Sequence, residues 1–291
     1  MCQQLGVSRS GPYRYLAPKS EGALSSEEAD RTLLEKIAVI FEAKKKRYGS
    51  PRIHAELQQA VVCSRGRVAR LMRAEGLCAL SGKKYRRRRE RQDVTETKNL
   101  LLGHDIRPTR VNQVWHTDIT MIATDEGWLY LAGVMDGLSK RIVGYAVDDH
   151  IRTDLVIEAL RSAVKRRGRQ ECLIHHSDRG SLGSLDPVGL SQYTSYAYQR
   201  ELTVQKMLPS FTAKGACLDN VVMESFWATL KKELVYPQKR FATRDEARQA
   251  VFEYIHVFYN RERLHSSLGY TSPELFEALQ QPSAALESLA A

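Results

Sequence analysis

The sequence predicts a mixed α/β domain, a five-stranded sheet with helices, preceded by a smaller all-α region. Two observations support this prediction. The net charge is +10, yet residues 1–110 carry an excess of 12 positive charges and the remainder is slightly negative. From Asn112 onward, apolar residues at helical spacing give way to strand-like segments, which then alternate with helices. The two parts of the chain therefore have different architectures and different chemistry.

Composition excludes several classes of protein. The chain has 291 residues and is 43% hydrophobic, so it can bury a substantial core. No apolar run approaches the roughly 18–20 residues of a membrane span, and the N-terminus does not resemble a signal peptide. The five cysteines are scattered without a CxxC pair, which favours reduced thiols over disulfides or a zinc site. We therefore expect a cytoplasmic protein.

The front region contains two candidate helix-turn-helix segments. Residues 5–16 fit the turn and second helix of one such motif. A polar linker follows, and Ser25 then opens a helix with apolar residues at helical spacing. In the second candidate, Ser50 is expected to cap a helix with Pro51 at its first position, and Ser64 to cap a further helix.

Basic side chains in this region predict contacts with nucleic acid. Clustered positive charge attracts a polyanion and releases its counterions. The alternative is a solvated basic surface. We expect DNA contacts from arginines on the helix after Ser64 and on the arm that follows it: Arg65, Arg67, Arg70, Arg86, Arg87, Arg88 and Arg89.

The second region predicts the element order β-β-β-α-β-α-β-α. Three β-rich segments separated by short turns indicate an antiparallel meander. The predicted strands are 114–124, 127–136, 140–149, 171–178 and 203–207, and the predicted helices are 153–167, 192–202, 219–234 and 244–259.

Three acidic residues stand where this topology brings them together. Asp118 lies in the first strand, Asp178 ends the fourth strand, and Glu224 lies on a later helix. Three converging carboxylates repel one another unless cations lie between them, and their oxygen atoms suit Mg²⁺ or Mn²⁺. Taken singly, each acid has an ordinary explanation, because an Asp after a strand often caps a helix and a helical Glu is usually solvated.

Other polar and aromatic residues near these acids have two interpretations. His175 and His176 could contact DNA or metal, although a buried structural role is favoured. Trp115 and Trp227 fit core packing better than base stacking. Asn220 could orient DNA or cap its helix, and the sequence does not separate these two roles.

Several motifs resemble those of one transposase family. They are LGVSRSGPYRYL, YGSPRIHAEL, RVARLMRAEGL, VWHTDIT, GWLYLAGVMDGLSKRIVGYAV, LIHHSDRG, SQYTS, GACLDNVVMESFWATLKKELV and FYNRERLHSSLGYTSPELF. Because these motifs occur together and in this order, the chain resembles the integrase-like OrfB transposases of the bacterial insertion-sequence family called IS-three. The resemblance covers nearly the whole chain.

The resemblance implies a ribonuclease-H-like core whose catalytic, metal-binding triad is Asp118, Asp178 and Glu224, with two Mg²⁺ or Mn²⁺ ions. The family's basic residue matches Lys231, which we expect to contact DNA phosphate. The implied substrates are the terminal inverted repeats and the target DNA. A multimer, an upstream OrfA-type partner or fusion, and action at the bacterial nucleoid are implied as well.

This interpretation divides the chain into four parts. A helix-turn-helix fragment and linker occupy 1–24, and a helical DNA-binding domain with a basic arm occupies 25–95. The catalytic core spans 108–270 and a tail spans 271–291.

The chain departs from the family pattern at one place. Ten residues, 181–190, intervene after the second aspartate, so 45 residues separate Asp178 from Glu224 where the family has 35. The segment is rich in Gly and Ser and predicts a loop. It suggests an alternative, a decayed copy that only binds DNA. A nuclease acting on RNA–DNA hybrids is a third hypothesis, which the basic helical front disfavours.

Overall fold

The computed structural model describes residues 26–58, 60–80, 99–103, 106–178, 192–212 and 220–280. The first helix-turn-helix candidate, the arm with Arg86–Arg89 and the segment 181–190 lie outside these ranges. The chain divides into two compact units, Met1–Ala79 and Leu80–Ala291. Within the described ranges, no helix is long and apolar enough to cross a membrane.

The first unit is helical, as its apolar spacing predicts. Its described helices are α1 (Ser26–Ala43), α2 (Ser50–Leu57) and α3 (Arg65–Ala74). They enclose a small core built from Ile37, Ile53, Val68 and other buried side chains. The hydrophobic effect of burying these faces holds the three short helices together, because isolated helices of this length are marginal in water.

The two predicted helix caps in this unit have different outcomes. Ser64 caps α3 as predicted, since its Oγ accepts a hydrogen bond from Arg67 N at 3.2 Å. The prediction for Ser50 is wrong. Gly49 is the cap residue, and its carbonyl accepts from Arg52 N at 3.0 Å and from Ile53 N at 3.1 Å. Ser50 is therefore already the first helical residue.

The second unit is a mixed sheet with helices. The strands are β1 (Val114–Thr124), β2 (Gly127–Asp136), β3 (Ile142–Asp148), β4 (Ile174–Ser177) and β5 (Leu208–Phe211). Its helices are α4 (Leu100–Gly103), α5 (Thr153–Arg167), α6 (Tyr196–Val204), α7 (Val221–Leu230), α8 (Tyr236–Gln238), α9 (Arg244–Glu253) and α10 (Pro273–Gln280). Single 3₁₀ turns lie at Gln192–Thr194 and Ser266–Leu268. π turns lie at Lys231–Val235 and Tyr254–Tyr259.

The strand order in this unit is β3-β2-β1-β4-β5. The first three strands pair antiparallel, which confirms the predicted meander, and β4 pairs parallel with both β1 and β5. The sheet is therefore mixed and five-stranded, as predicted. The first and fourth strands are neighbours although 49 residues of chain separate Thr124 from Ile174, and β2, β3 and the helix α5 lie in that interval.

The predicted fifth strand is wrong in position. Thr203 and Val204, which suggested a strand at 203–207, are the last residues of helix α6. Thr203 Oγ1 donates to Gln199 O at 2.9 Å, which satisfies the hydroxyl within the helix. The chain turns at Lys206, where φ is 57°, and β5 begins at Leu208. Local β-propensity yields here to the packing of Leu202 and Met207 in the core.

Helices cover both faces of the sheet. On one face, α5 packs closely on β3, because a Cβ added to Gly144 would lie 2.4 Å from the backbone nitrogen of Ala163. On the other face, α7 packs on β1 and β2, and a Cβ on Gly133 would lie 2.9 Å from the Trp227 ring. Alternate residues of β1 therefore face different helices, and Asp118, opposite Gly133 in the register, faces α7.

Candidate active site

The parallel register of β1 and β4 brings two acidic residues together. Thr117 is paired with Ser177, and Asp118 and Asp178 are the next residues on the two strands. Neighbouring strands lie roughly 4.8 Å apart, so the two aspartates leave the sheet side by side. Because β4 ends at Ser177, Asp178 lies just beyond the paired part of its strand.

The electrostatics of Asp118 confirm that a second negative charge is near. Its pKa is raised to about 7, first because burial disfavours the ionised form and then because of the negative charge of Asp178. A hydrogen bond from Trp227 and the positive charge of Lys231 oppose this rise. Asp118 therefore lies among groups of both signs, where its protonation state is sensitive to anything that adds positive charge.

Helix α7, which packs on β1, carries the third acid. Glu224 lies in the first turn of α7 and is partly buried. One turn later, Trp227 donates its Nε1–H to Asp118 Oδ2 at 3.0 Å. Residues three apart on a helix share a face, so Glu224 and Trp227 lie on the same side of α7. The absence of a side chain at Gly133 allows this close packing.

Lys231 lies at the end of the same helix. It is the residue at which the α-helical hydrogen bonding of α7 gives way to a π turn. Partial burial lowers the pKa of Lys231, and the negative charge of Asp118 opposes that change. The charges of Lys231 and Asp118 thus act on one another, although the predicted contact of Lys231 with DNA phosphate stays a prediction.

The structure assigns Asn220 a role that the sequence did not suggest. Asn220 is fully buried, forms no side-chain cap, and donates its Nδ2–H to the backbone oxygen of Thr117 at 3.0 Å. It therefore fastens the start of α7 to the residue that precedes Asp118.

Sequence reasoning also missed the hydrogen bond that Trp227 donates to Asp118. The one signal that could have indicated it is Gly133, because a lone glycine within a strand often marks a close approach.

The histidines near the acids belong to the core. His175 Nε2 lies 3.0 Å from the Tyr198 hydroxyl, and His176 Nδ1 lies 2.9 Å from Ser210 Oγ. Burial lowers the pKa of His175 to about 3 and that of His176 to about 4. Both rings are therefore neutral at physiological pH. Trp115 is fully buried, in keeping with core packing.

The oxygen donors of Asp118, Asp178 and Glu224 are the chemical type that hard divalent cations prefer. Their ligand atoms do not all lie within 4.8 Å of one another, in keeping with the mutual repulsion of carboxylates. Among the described residues, the one acidic and histidine group that meets this distance is Asp148, Asp149 and His150. That group is on the sheet edge, and Arg244 Nη1 lies 3.7 Å from Asp149.

The predicted DNA-contacting arginines of the first unit differ in whether they form ion pairs within the protein. Arg65 is exposed at the start of α3. Arg67 Nε and Arg70 Nη2 each lie 2.6 Å from a carboxylate oxygen of Asp30 on α1. The arginines lower the pKa of Asp30 through these hydrogen bonds. Arg86–Arg89 lie outside the described residues, so their role stays a prediction.

Comparison with known families agrees with this architecture. Family models described as "Integrase core domain" match residues 108–217 and 224–280, and one described as "HTH-like domain" matches residues 27–88. One solved structure that matches is a chain of the simian T-cell lymphotropic virus intasome in complex with the PP2A regulatory subunit B56 gamma. The TM-score is 0.47 with 12% identity, and the match covers 85% of this chain and 76% of that one.

Curated relatives match over nearly the full length. One is the Shigella sonnei protein "Insertion element IS600 uncharacterized 31 kDa protein", which is 39% identical over 277 residues, or 95% of this chain and 97% of that protein. Another is "Transposase InsF for insertion sequence IS3A" of Escherichia coli (strain K12), which is 36% identical over 279 residues, or 95% of this chain and 92% of that protein.

Together, the family models and the curated relatives define a DNA transposase with an integrase core domain, and the mixed sheet and the helical front unit agree with that class. The chain belongs to the IS-three family of insertion-sequence transposases, the family of the InsF transposase of IS3A. The family resemblance and the fold class predicted from the sequence are confirmed. DNA is its partner, and the HTH-like unit is a DNA-binding region.

The raised pKa of Asp118 predicts a specific pH dependence of stability. In the folded protein Asp118 holds its proton up to pH about 7, whereas an unfolded aspartate loses it near pH 4. Between these values the folded state binds more protons, so its free energy of unfolding falls as pH rises, by a few kcal/mol. Asp118→Asn cannot titrate and still accepts the bond from Trp227.

We therefore expect wild type to lose more stability than Asp118→Asn between pH 4.5 and pH 8. Urea unfolding in the presence of a chelator measures this difference, and the comparison cancels the titration of other groups. Parallel pH profiles for the two proteins would show that Asp118 is not held in its protonated form.

The ion pairs of Asp30 predict an effect on DNA affinity. Asp30→Asn frees Arg67 and Arg70 to bind phosphate, so we expect tighter binding to a random duplex. The slope of the logarithm of the binding constant against the logarithm of the salt concentration should become steeper by roughly one to two. Glu27→Gln is the matched control, because it removes one negative charge from the exposed surface of the same helix. Equal effects of both variants, measured by fluorescence anisotropy, would mean that Asp30 does not restrain the arginines.

Proposed function

We propose that Asp118, Asp178 and Glu224 are the catalytic carboxylates with which this transposase cuts and joins DNA strands. The observation that supports this assignment most directly is the convergence of three elements. Asp118 and Asp178 are adjacent in the β1–β4 register, and Trp227 ties the helix of Glu224 to Asp118 by a 3.0 Å hydrogen bond.

The three acids suit a pair of divalent cations. They supply only oxygen donors, and the pKa of Asp118 is raised first by burial and then by the negative charge of Asp178, a charge that cations would offset. Two bound Mg²⁺ or Mn²⁺ ions would supply activation of the attacking oxygen and stabilisation of the leaving oxygen in phosphoryl transfer. Asp118, Asp178 and Glu224 would hold these ions.

The other residues of the site position DNA. Lys231, on the helix of Glu224, contacts a phosphate next to the bond that breaks in this proposal. In the first step water displaces the 3′ oxygen of a DNA strand and leaves a 3′-hydroxyl. In the second step that hydroxyl attacks a phosphodiester of the target, so that one P–O bond forms while another breaks and a new 3′-hydroxyl departs. No covalent bond to the protein is required.

The helical unit supplies recognition in this proposal. Arg65, and the other arginines of α3 when they are released from Asp30, contact the terminal inverted repeats, and Arg86–Arg89 follow phosphates along the arm. We further propose that the chain works as a multimer on paired ends. An upstream OrfA-type partner or fusion would add DNA-binding segments, and the site of action would be the bacterial nucleoid.

Strand cleavage of a duplex carrying the element's own terminal repeat tests the triad. Wild type should nick this duplex with Mg²⁺ or Mn²⁺, and Glu224→Gln, which keeps size but loses charge, should reduce the rate by at least 100-fold. Asp149→Asn is the matched control, because it removes an acid from the group with the closest ligand atoms. It should retain wild-type activity.

A variant lacking residues 181–190 separates a disabled enzyme from a protein that only binds DNA. An inactive wild type with an active deletion would show that the inserted segment blocks a competent triad. Loss of cleavage in Asp149→Asn with activity in Glu224→Gln would overturn the assignment. DNA binding without cleavage in every variant, also with the upstream partner present, would establish the binding-only alternative.

A further inference from the structure

Two π turns in the second unit meet at one buried ion pair. The first, Lys231–Val235, continues helix α7, and Tyr236 N donates to Lys231 O five residues earlier. The second, Tyr254–Tyr259, continues helix α9, and Asn260 N donates to Ile255 O. Glu233 lies in the first π turn, and its partner Arg263 lies shortly after the second. π turns are rare and often occur at functional sites.

The ion pair itself is closely held. Arg263 donates to Glu233 through Nε at 3.0 and 3.2 Å and through Nη2 at 2.8 Å. The Tyr254 hydroxyl donates to Glu233 Oε2 at 2.9 Å, and the guanidinium of Arg263 lies 5.7 Å from the ring centre of Tyr259. Glu233 is 4% exposed and Arg263 is 5% exposed. Glu233 holds the pKa of Arg263 well above its usual range.

Stability alone does not explain a buried ion pair of this kind. The desolvation of two charges offsets most of their attraction, and apolar residues of similar volume often give equal or greater stability. An ion pair of this kind adds geometric specificity, because the guanidinium group of an arginine donates to a carboxylate in only a few orientations. The pair therefore fixes the rotation and the axial position of the helix that carries Glu233.

That helix is the one that carries the catalytic glutamate. The chain keeps helical dihedral angles through the junction at Lys231, so Glu224, Lys231 and Glu233 lie on one continuous helical segment. Within a π turn, the hydrogen bonds span one more residue than in an α-helix, so residues after the turn are rotated relative to a regular helix. A fixed point beyond the π turn therefore limits how far the segment that carries Glu224 and Lys231 can rotate or slide as a unit.

We propose that Glu233 and Arg263 are positioning residues that fix the π turn and thereby hold Glu224 and Lys231 in register with Asp118. This proposal rests on the proposed roles of Glu224 and Lys231. It gives a function to the polar segment after the last long helix, Tyr259–His265, of which Arg263 is part. The pair does not touch DNA or the reacting atoms, and it acts through the helix.

A double variant tests positioning separately from folding. Single changes such as Arg263→Met leave a buried charge unpaired and are expected to lower the melting temperature strongly. Glu233→Met with Arg263→Met replaces both charges, so the melting temperature should return close to that of wild type. Lys232→Met is the matched control, because it changes an exposed residue of the same π turn.

We expect the double variant to bind the terminal-repeat duplex within about twofold of wild type but to cleave it at least tenfold more slowly at saturating DNA. Hydrogen–deuterium exchange of residues 221–236 should become faster in the double variant, whereas Lys232→Met should match wild type in all measurements. Arg263→Lys, which keeps the charge but not the guanidinium group, should show an intermediate cleavage rate.

Unchanged exchange and cleavage in a double variant that is as stable as wild type would show that the pair only fills space, and would overturn the proposal. The exchange measurement does not depend on catalysis. If neither wild type nor the variant lacking residues 181–190 cleaves with the upstream partner present, the assigned roles of the acids fail, while exchange still decides whether the pair fixes the helix.

Discussion

The parallel pairing of β1 with β4 is the constraint on which the rest of this site depends. It joins strands that are distant in sequence and places Asp118 beside Asp178 at the point where β4 ends. Two buried or half-buried carboxylates at this separation are unfavourable, and the raised pKa of Asp118 expresses that cost. The hydrophobic core on both faces of the sheet holds the strands together despite this repulsion, so the fold maintains a concentration of negative charge that a flexible chain would disperse.

Helix α7 must be fixed relative to this strand pair, because its glutamate completes the set of acids. Three contacts act along its length. Asn220 fastens its start to the backbone of Thr117, Trp227 bonds Asp118 from its middle, and Glu233 pairs with Arg263 beyond its end. Each contact is at least partly buried and directional, so together they restrict translation and rotation of the helix. This explains why polar groups lie in places where apolar side chains would suffice for stability alone.

The sequence predicted the sheet and the acids better than the contacts that orient them. Strands β1 and β2 have the predicted bounds, since alternation and short turns are local signals. The fifth strand was misplaced because Thr203 and Val204 favour strands, whereas tertiary packing keeps them helical. The bonds of Asn220 and Trp227 span 103 and 109 residues, and such partners have no local signature. The π turns likewise were not predicted, because one extra residue per turn barely changes the apolar spacing. The assigned roles of the three acids, of Lys231 and of the DNA-contacting arginines stay predictions.

Anomalous diffraction from crystals grown with Mn²⁺ tests the central claim most directly, because it locates bound cations without reference to activity. In wild type we predict anomalous density that bridges Asp118 and Asp178, with Glu224 among the ligands. In Glu224→Gln we predict that this density is lost or markedly weakened. Density confined to Asp148, Asp149 and His150, the group whose ligand atoms already lie within 4.8 Å of one another, would contradict the central claim.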